Sequence, residues 1–332
     1  MGLFEKIEVD NDKLKSIALK YWGVELGKCL KSSQNHTFLV SKINEITKES
    51  ENFILRVTPD PKKERIESTK LEVKLLNYLN DNKLPVCPTI ANLVDGEGMV
   101  VIDDLIICLF KYATGESINY VEWKWLENQE MAIGLGRWFG ELHKLTRSFV
   151  KEYPEMSKKA RHWQTLHSGV LKGVPVNQLD IESSKDPNQF TIIHGDVNPS
   201  NYHWDASIGM PSMFDWDQLQ ESWLLYDLSA PIWGVVSLEK FGMGGPVPLA
   251  NPKQYIDLLL QGYEPTIGEK VDRNALDRMI EIRRQLYIRF CKAAVIELAD
   301  KPDSPMYLFC KKMTDNFENE EREQLEKEKE NK

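Results

Sequence analysis

Asp196 and Asn201 stand five residues apart in TIIHGDVNPSNYHW, where an apolar strand runs into a polar loop stiffened by Pro199. A carboxylate and an amide at that separation suit phosphoryl transfer. The carboxylate takes the proton of an attacking hydroxyl, and the amide oxygen helps to hold a metal ion on the phosphates. Fourteen residues further on, MFDWDQ supplies Asp215 as a second oxygen ligand, a donor type that suits magnesium and leaves room for phosphate oxygens. Asp217 follows two positions later. On a strand the two carboxylates would share a face, and on a turn both could approach metal-bound phosphate, with Asp217 in a supporting role.

His194-Gly195-Asp196 with Asn201, followed by Phe214-Asp215-Trp216-Asp217, resembles the signature of the aminoglycoside phosphotransferase and choline kinase-like family. The Asp196-to-Asn201 spacing also equals that of the protein-kinase catalytic loop, H-R-D-x-x-x-x-N. The resemblance extends over most of the chain and implies ATP and Mg2+ as cofactors, with Asp196 as catalytic base and Asn201 and Asp215 on the metal. It places Arg56, in the strand Phe53 to Arg56, where kinases carry a phosphate-binding lysine, and makes Glu72 on the next helix its partner. Arginine at that position keeps the charge and changes its geometry. The loop Ser32 to His36 falls where the family places its phosphate-covering loop. It has no glycine, so Ser33 and Asn35 are the expected ATP contacts, through small polar side chains and backbone amides. Residues 109–115 become the hinge that reads adenine. The same resemblance makes His194 an anchor of its loop and gives Asp227, in LLYDLS, a bracing role that a helix N-cap would explain equally well.

The elements that must carry these residues follow from periodicity. Asp12 to Tyr21 reads as a short helix, and Gly27 to Val57 alternates as strand, turn, strand, turn, strand, broken at SSQNH and NEITKESEN. In KKERIESTKLEVKLLNYLND, Leu71, Leu75, Leu76 and Leu79 form one helical stripe. GMVVI and LIICLFKY, flanking Asp103-Asp104, give a second hairpin. Beyond Ala113-Thr114-Gly115 the pattern is mainly helical, with Met131, Leu135, Trp138, Leu142 and Leu145 on one face and a second long helix over Lys270 to Leu298. Short strands and turns span Phe190 to Asp217. His143, on the buried side of its helix, reads as a packing residue. The expected architecture is therefore a two-lobed α+β, protein-kinase-like fold. Residues 1–111 form the nucleotide-binding lobe with an antiparallel sheet and a helix, and residues 112–332 the mostly helical catalytic and acceptor lobe with a charged tail.

With 51 acidic and 42 basic side chains and a net charge of −9, the chain repels a polyphosphate backbone, so nucleic acid is not an expected partner. Five widely spaced cysteines fit neither a zinc knuckle nor a disulfide scaffold. The charged start MGLFEKIEVDNDKLK has no apolar core of a secretory signal, and Lys6 breaks the myristoylation pattern, so the expectation is a cytoplasmic protein without a membrane partner. The acceptor expected from the resemblance is a small-molecule hydroxyl, on an amino alcohol, hydroxy amino acid, sugar or aminoglycoside. Trp163, Tyr202, Trp204, Trp223 and Trp233 are candidate walls for a cationic one. Two alternatives remain. One is a catalytically weak, pseudokinase-like nucleotide-binding module. The other is a metal-dependent hydrolase clustering His194, Asp196, Asp215 and Asp217.

Overall fold

Asp10 starts the first helix, α1 (Asn11–Trp22), by accepting the N–H groups of Asp12 and Lys13 at 2.9 and 3.1 Å, and Gly23 ends it in the left-handed conformation. Three strands follow, β1 (Glu25–Ser32), β2 (His36–Ile43) and β3 (Ser50–Pro59), then α2 (Ile66–Asp81), β4 (Val100–Ile102) and β5 (Leu105–Lys111). They form one antiparallel sheet in the order β1-β2-β3-β5-β4. The computed structural model describes residues 7–43, 50–119, 122, 124–241 and 251–330. Residues 1–6, 44–49 (most of the second turn), 120–121, 123, 242–250 and 331–332 lie outside these, Lys6 among them.

LIICLF in β5 is a continuous apolar run because the sheet is buried on both faces. Ile106, Cys108 and Phe110 join the core beneath α2, whereas Ile107 and Leu109 point the other way, into a core shared with Leu14, Ala18 and Trp22 of α1. The first of these cores does not stop at the sheet. It continues from Leu71, Leu75, Leu76 and Leu79 to Trp138, Phe139 and Leu142, which belong to the second half of the chain.

That half begins with β6 (Glu116–Ser117) and α3 (Lys124–Glu127). It continues with the long α4 (Gln129–Glu152), α5 (Pro154–Ser157), β7 (Arg161–His162), α6 (Trp163–Leu166) and α7 (Gln178–Ser183). Next come β8 (Phe190–Ile193), β9 (Tyr202–Asp205), β10 (Met210–Met213) and β11 (Gln220–Trp223). The helices α8 (Leu224–Phe241), α9 (Pro252–Ile267), α10 (Arg273–Glu297) and α11 (Pro305–Glu330) complete it. Two small sheets, β10-β9-β6 and β7-β11-β8, hold the loops that carry the chemistry. α4 and α9 lie backbone to backbone: a Cβ on Gly136 would sit 1.9 Å from Leu259 O, and one on Gly262 the same distance from Ile133 O. No described helix is long and apolar enough to cross a membrane.

The architecture is the α+β, kinase-like arrangement that the sequence implied, an antiparallel sheet followed by a mainly helical half. The helical content of the second half exceeds the sequence reading. α8 and α9 were not marked; LLYDLSAPIWGVV of α8 is so predominantly apolar that it has little polar face to set a period. The last helix, α11, is buried against α10 through Cys310, Met313 and Phe317, and beyond Phe317 the described residues of its charged end are mostly exposed.

Candidate active site

The loop after β8 is shaped by a fully buried carboxylate. Asp227, inside the first turn of α8, accepts the backbone N–H groups of His194 at 3.1 Å and Gly195 at 2.8 Å. Its remaining contact is His143, 3.3 Å away, whose other ring nitrogen meets the Tyr263 hydroxyl at 2.9 Å. Because Asp227 lies within α8, it does not cap that helix, and of the two roles open from sequence the geometry matches the brace. Burial pushes its carboxyl up, but the hydrogen bond and charge of His143, with the loop amides, hold it below the ordinary value. His143 itself is pushed down, mainly by burial.

Gly195 has φ +86°, and an added Cβ would lie 2.5 Å from Gln218 O, so the turn accepts only glycine. It aims the next residue, Asp196, at Asn201. The Asn201 amide donates to the Asp196 backbone oxygen at 2.9 Å and to its carboxylate at 3.1 Å, which leaves the amide oxygen directed elsewhere. Burial raises the Asp196 carboxyl above its usual value, with His194 and Arg283 pulling in the opposite direction. A carboxylate held less acidic than normal is a stronger proton acceptor.

His194 ties this loop to the next one. Its Nδ1 accepts the Asp196 N–H at 3.3 Å and its Nε2 faces the Phe214 carbonyl at 3.2 Å, so the neutral, Nε2-protonated ring satisfies both. The adjoining residue, Asp215, adopts a left-handed backbone, φ 61° and ψ 63°, rare for a residue with a side chain. Strain of this kind persists where the surroundings fix it, here by the Phe214 N–H bond to Asn201 O at 2.9 Å. Asp215 and Asn201 both line a cavity of about 480 Å³ between the sheet and the helical half. Lys31, Arg56, Phe110 and His203 are among its other walls, and Lys31 Nζ lies 3.3 Å from the Asp215 carboxylate.

Asp217, two residues on, turns away from the cavity. A 3₁₀ turn (Trp216–Gln218) replaces the strand geometry that would have kept both carboxylates on one face. The Asp217 carboxylate instead meets Arg65 at 3.1 Å, Arg56 at 3.4 Å and the Asn35 amide, and its carbonyl accepts from Arg161. Burial raises its carboxyl, and the three arginines together draw it below the normal range. Arg56 pairs both terminal nitrogens with Glu72 at 2.8 and 2.6 Å and lies 4.9 Å from the Phe110 ring centre. Burial opposes its charge, and Glu72 and Asp217 hold that charge in place.

The structure thus gathers Asn201, Asp215, Arg56 and Glu72 around one cavity, with Asp196 behind Asn201 and bonded to its amide. Ser33 and Asn35 do not line it. Ser33 is exposed at the turn, and Asn35 is buried, with its amide oxygen on Arg65 at 3.2 Å and its nitrogen on Asp217. The aromatic walls drawn for an acceptor are largely core: Trp163, Tyr202, Trp223 and Trp233 are each at most 5% exposed. Trp163 and Trp223 pack edge to face 4.8 Å apart. The hydrolase cluster does not assemble either, because both His194 nitrogens are occupied and Asp217 is committed to arginines. Among the described residues no three His, Cys, Asp or Glu side chains converge on a metal. Lys31, Arg65, Arg161, His203 and Arg283 were not singled out from sequence. Arg283 on α10 reaches Gly195 O at 3.3 Å, Tyr226 O at 2.8 Å and Ser229 Oγ at 2.8 Å, a role that no local spacing announces.

A loop pair of this construction, a carboxylate on an asparagine beside an aspartate facing an interlobe cavity, matches a known family. A family model described as the phosphotransferase enzyme family matches residues 33–241. The chain belongs to that family. Amicoumacin kinase of Bacillus subtilis (strain 168) is 22% identical over 212 residues, which cover 58% of this chain and 60% of that protein. The matched stretch thus spans about three-fifths of that relative's length. Among solved structures, an amicoumacin kinase in complex with AMP-PNP, Ca2+ and Ami superposes with a TM-score of 0.69 at 16% identity, covering 92% of this chain and 94% of that one. A spectinomycin phosphotransferase in complex with ADP and spectinomycin gives 0.59 at 12% identity, covering 92% and 95%. At these identities the likeness establishes the shared bilobal fold.

Proposed function

We propose that this phosphotransferase is an ATP- and magnesium-dependent kinase that phosphorylates a hydroxyl of a small molecule, with Asp196 as the base. The observation that carries this reading is the Asn201 amide, 3.1 Å from the Asp196 carboxylate, in a side chain that also faces the cavity beside Asp215. The oxygen donors Asn201 and Asp215 fit a hard divalent cation, which when bound would neutralise charge on the phosphates. Asp196 accepts the proton of the acceptor hydroxyl, and Asn201 and the Asp227-braced loop keep its carboxylate aimed. Tyr112 and Ala113, at the end of β5, line the cavity where a nucleotide base would rest against the hinge. The substrates that name these relatives, amicoumacin and spectinomycin, support an acceptor bearing several polar groups, within the amino alcohol, hydroxy amino acid, sugar and aminoglycoside range.

The test is ADP release from ATP and Mg2+ across amicoumacin, spectinomycin, aminoglycosides, ethanolamine, choline, homoserine and simple sugars, with Asp196→Asn in parallel. The expected outcome is acceptor-dependent turnover that falls about 10²- to 10⁴-fold in the variant. Equal turnover in parent and variant places the base elsewhere. A parent that binds ATP and turns over no acceptor points to a binding module.

A further inference from the structure

Asp227 braces the catalytic loop, and what holds Asp227 in turn lies further from the cleft. Among the described residues three donors meet its buried carboxylate. The Gly195 N–H reaches Oδ1 at 2.8 Å, and the His194 N–H and the His143 ring reach Oδ2 at 3.1 and 3.3 Å. Two of these donors belong to the loop being held. His143, on α4, comes from outside it and so fixes where the carboxylate sits.

A neutral imidazole donates from one nitrogen alone, and burial keeps this ring neutral. Facing Asp227 with Nε2–H leaves Nδ1 as an acceptor, and the Tyr263 hydroxyl on α9 donates to it at 2.9 Å. The Tyr263 hydroxyl therefore selects the tautomer and ring orientation that serve Asp227. Every side chain in this series is buried, so a missing hydrogen bond is not made good by solvent.

Close packing of the two helices makes the reach possible. Gly136, Gly140 and His143 recur at steps of four and three along α4, as Leu259, Tyr263 and Thr266 do along α9. With no side chain at Gly136 or at Gly262, next to Tyr263, the two backbones touch there, and the hydroxyl comes within bonding distance of the ring.

We propose that Tyr263 is a positioning residue for phosphoryl transfer, its hydroxyl acting through His143 and Asp227 to fix the His194-Gly195 turn that aims Asp196. The proposal rests on the kinase reading above. It extends the working parts of the site to α9, none of whose described residues lines the interlobe cavity.

Tyr263→Phe removes one oxygen and keeps the ring. Tyr255→Phe does the same on α9 at a buried tyrosine that packs against Trp125, and serves as the control. Two quantities are measured in the full chain: turnover with ATP, Mg2+ and the acceptor found in the panel above, and hydrogen exchange of the His194 and Gly195 amides. Tyr263→Phe is expected to lower kcat about 5- to 20-fold at unchanged KM for ATP and to speed exchange at both amides about 10-fold, with Tyr255→Phe like the parent. Unchanged kcat or unchanged exchange in Tyr263→Phe overturns the proposal. So does a KM for ATP that rises as far as kcat falls, or an equal loss in Tyr255→Phe, either of which would mark the hydroxyl as one more packing contact. A parent that turns over no acceptor overturns the kinase reading instead, and exchange alone then decides whether Tyr263 holds the turn.

Discussion

The two walls of the cleft are built on opposite terms. On one side, Arg56, Arg65, Glu72, Asn35 and Asp217 pair with one another and are largely buried. On the other, Asp196 is held by one amide and Asp215 by one exposed lysine. The paired set fixes the shape of its wall, and the lightly held carboxylates are open to a proton or a cation. The two walls therefore differ in how fully their charges are partnered, although Arg56, Glu72 and Asp215 all line the same cavity.

Substitutions that separate activity from stability put this division to the test. The largest effect is expected for Asp215→Asn. Turnover should drop roughly 10³-fold through loss of metal binding, while the unfolding free energy from urea titration stays within about 0.5 kcal/mol of the parent. An equally large loss of stability would place Asp215 in the framework. Next comes Glu72→Ala, which leaves Arg56 with Asp217 alone and should cost about 3 kcal/mol, read as a lower denaturant midpoint at unchanged slope. The smallest is a change in pH response. His167, behind the catalytic loop, is pushed down to about 4 by burial and by the charges of Arg283 and Arg161. The unfolded chain takes up this proton near pH 6.5 and the folded one resists it until about 4, so stability is full above 6.5 and declines between those values. The decline is at most about 3 kcal/mol, and His167→Gln should flatten it in thermal melts at pH 7 and pH 5.

What the sequence disclosed and what it hid follow the same physical line. That Asp196, Asn201 and Asp215 lie together was legible because they are set by local spacing within two loops. The five-stranded sheet and the long α4 were legible from periodicity. Asp217 was drawn toward phosphate because, on the turn that the chain does make, nothing local shows that Arg56 and Arg65 claim its carboxylate. Asn35 was set against ATP because nothing local shows that Arg65, thirty residues away, claims its side chain. Lys31 was hidden by a single extra residue in β1, since a bulge leaves the alternation of a short strand almost unchanged while reversing one side chain. Arg161 and Arg283 act on backbone carbonyls brought close only by the tertiary fold.

The leucine stripe of α2 reaches past its own sheet to Trp138 and Phe139 of α4. The two halves therefore share one interior, and a chain severed after Lys111 would leave each piece with an uncovered apolar face. Denaturation should proceed as one cooperative event across both halves, so any looseness in the cleft arises from its rim and not from the independent melting of one wall.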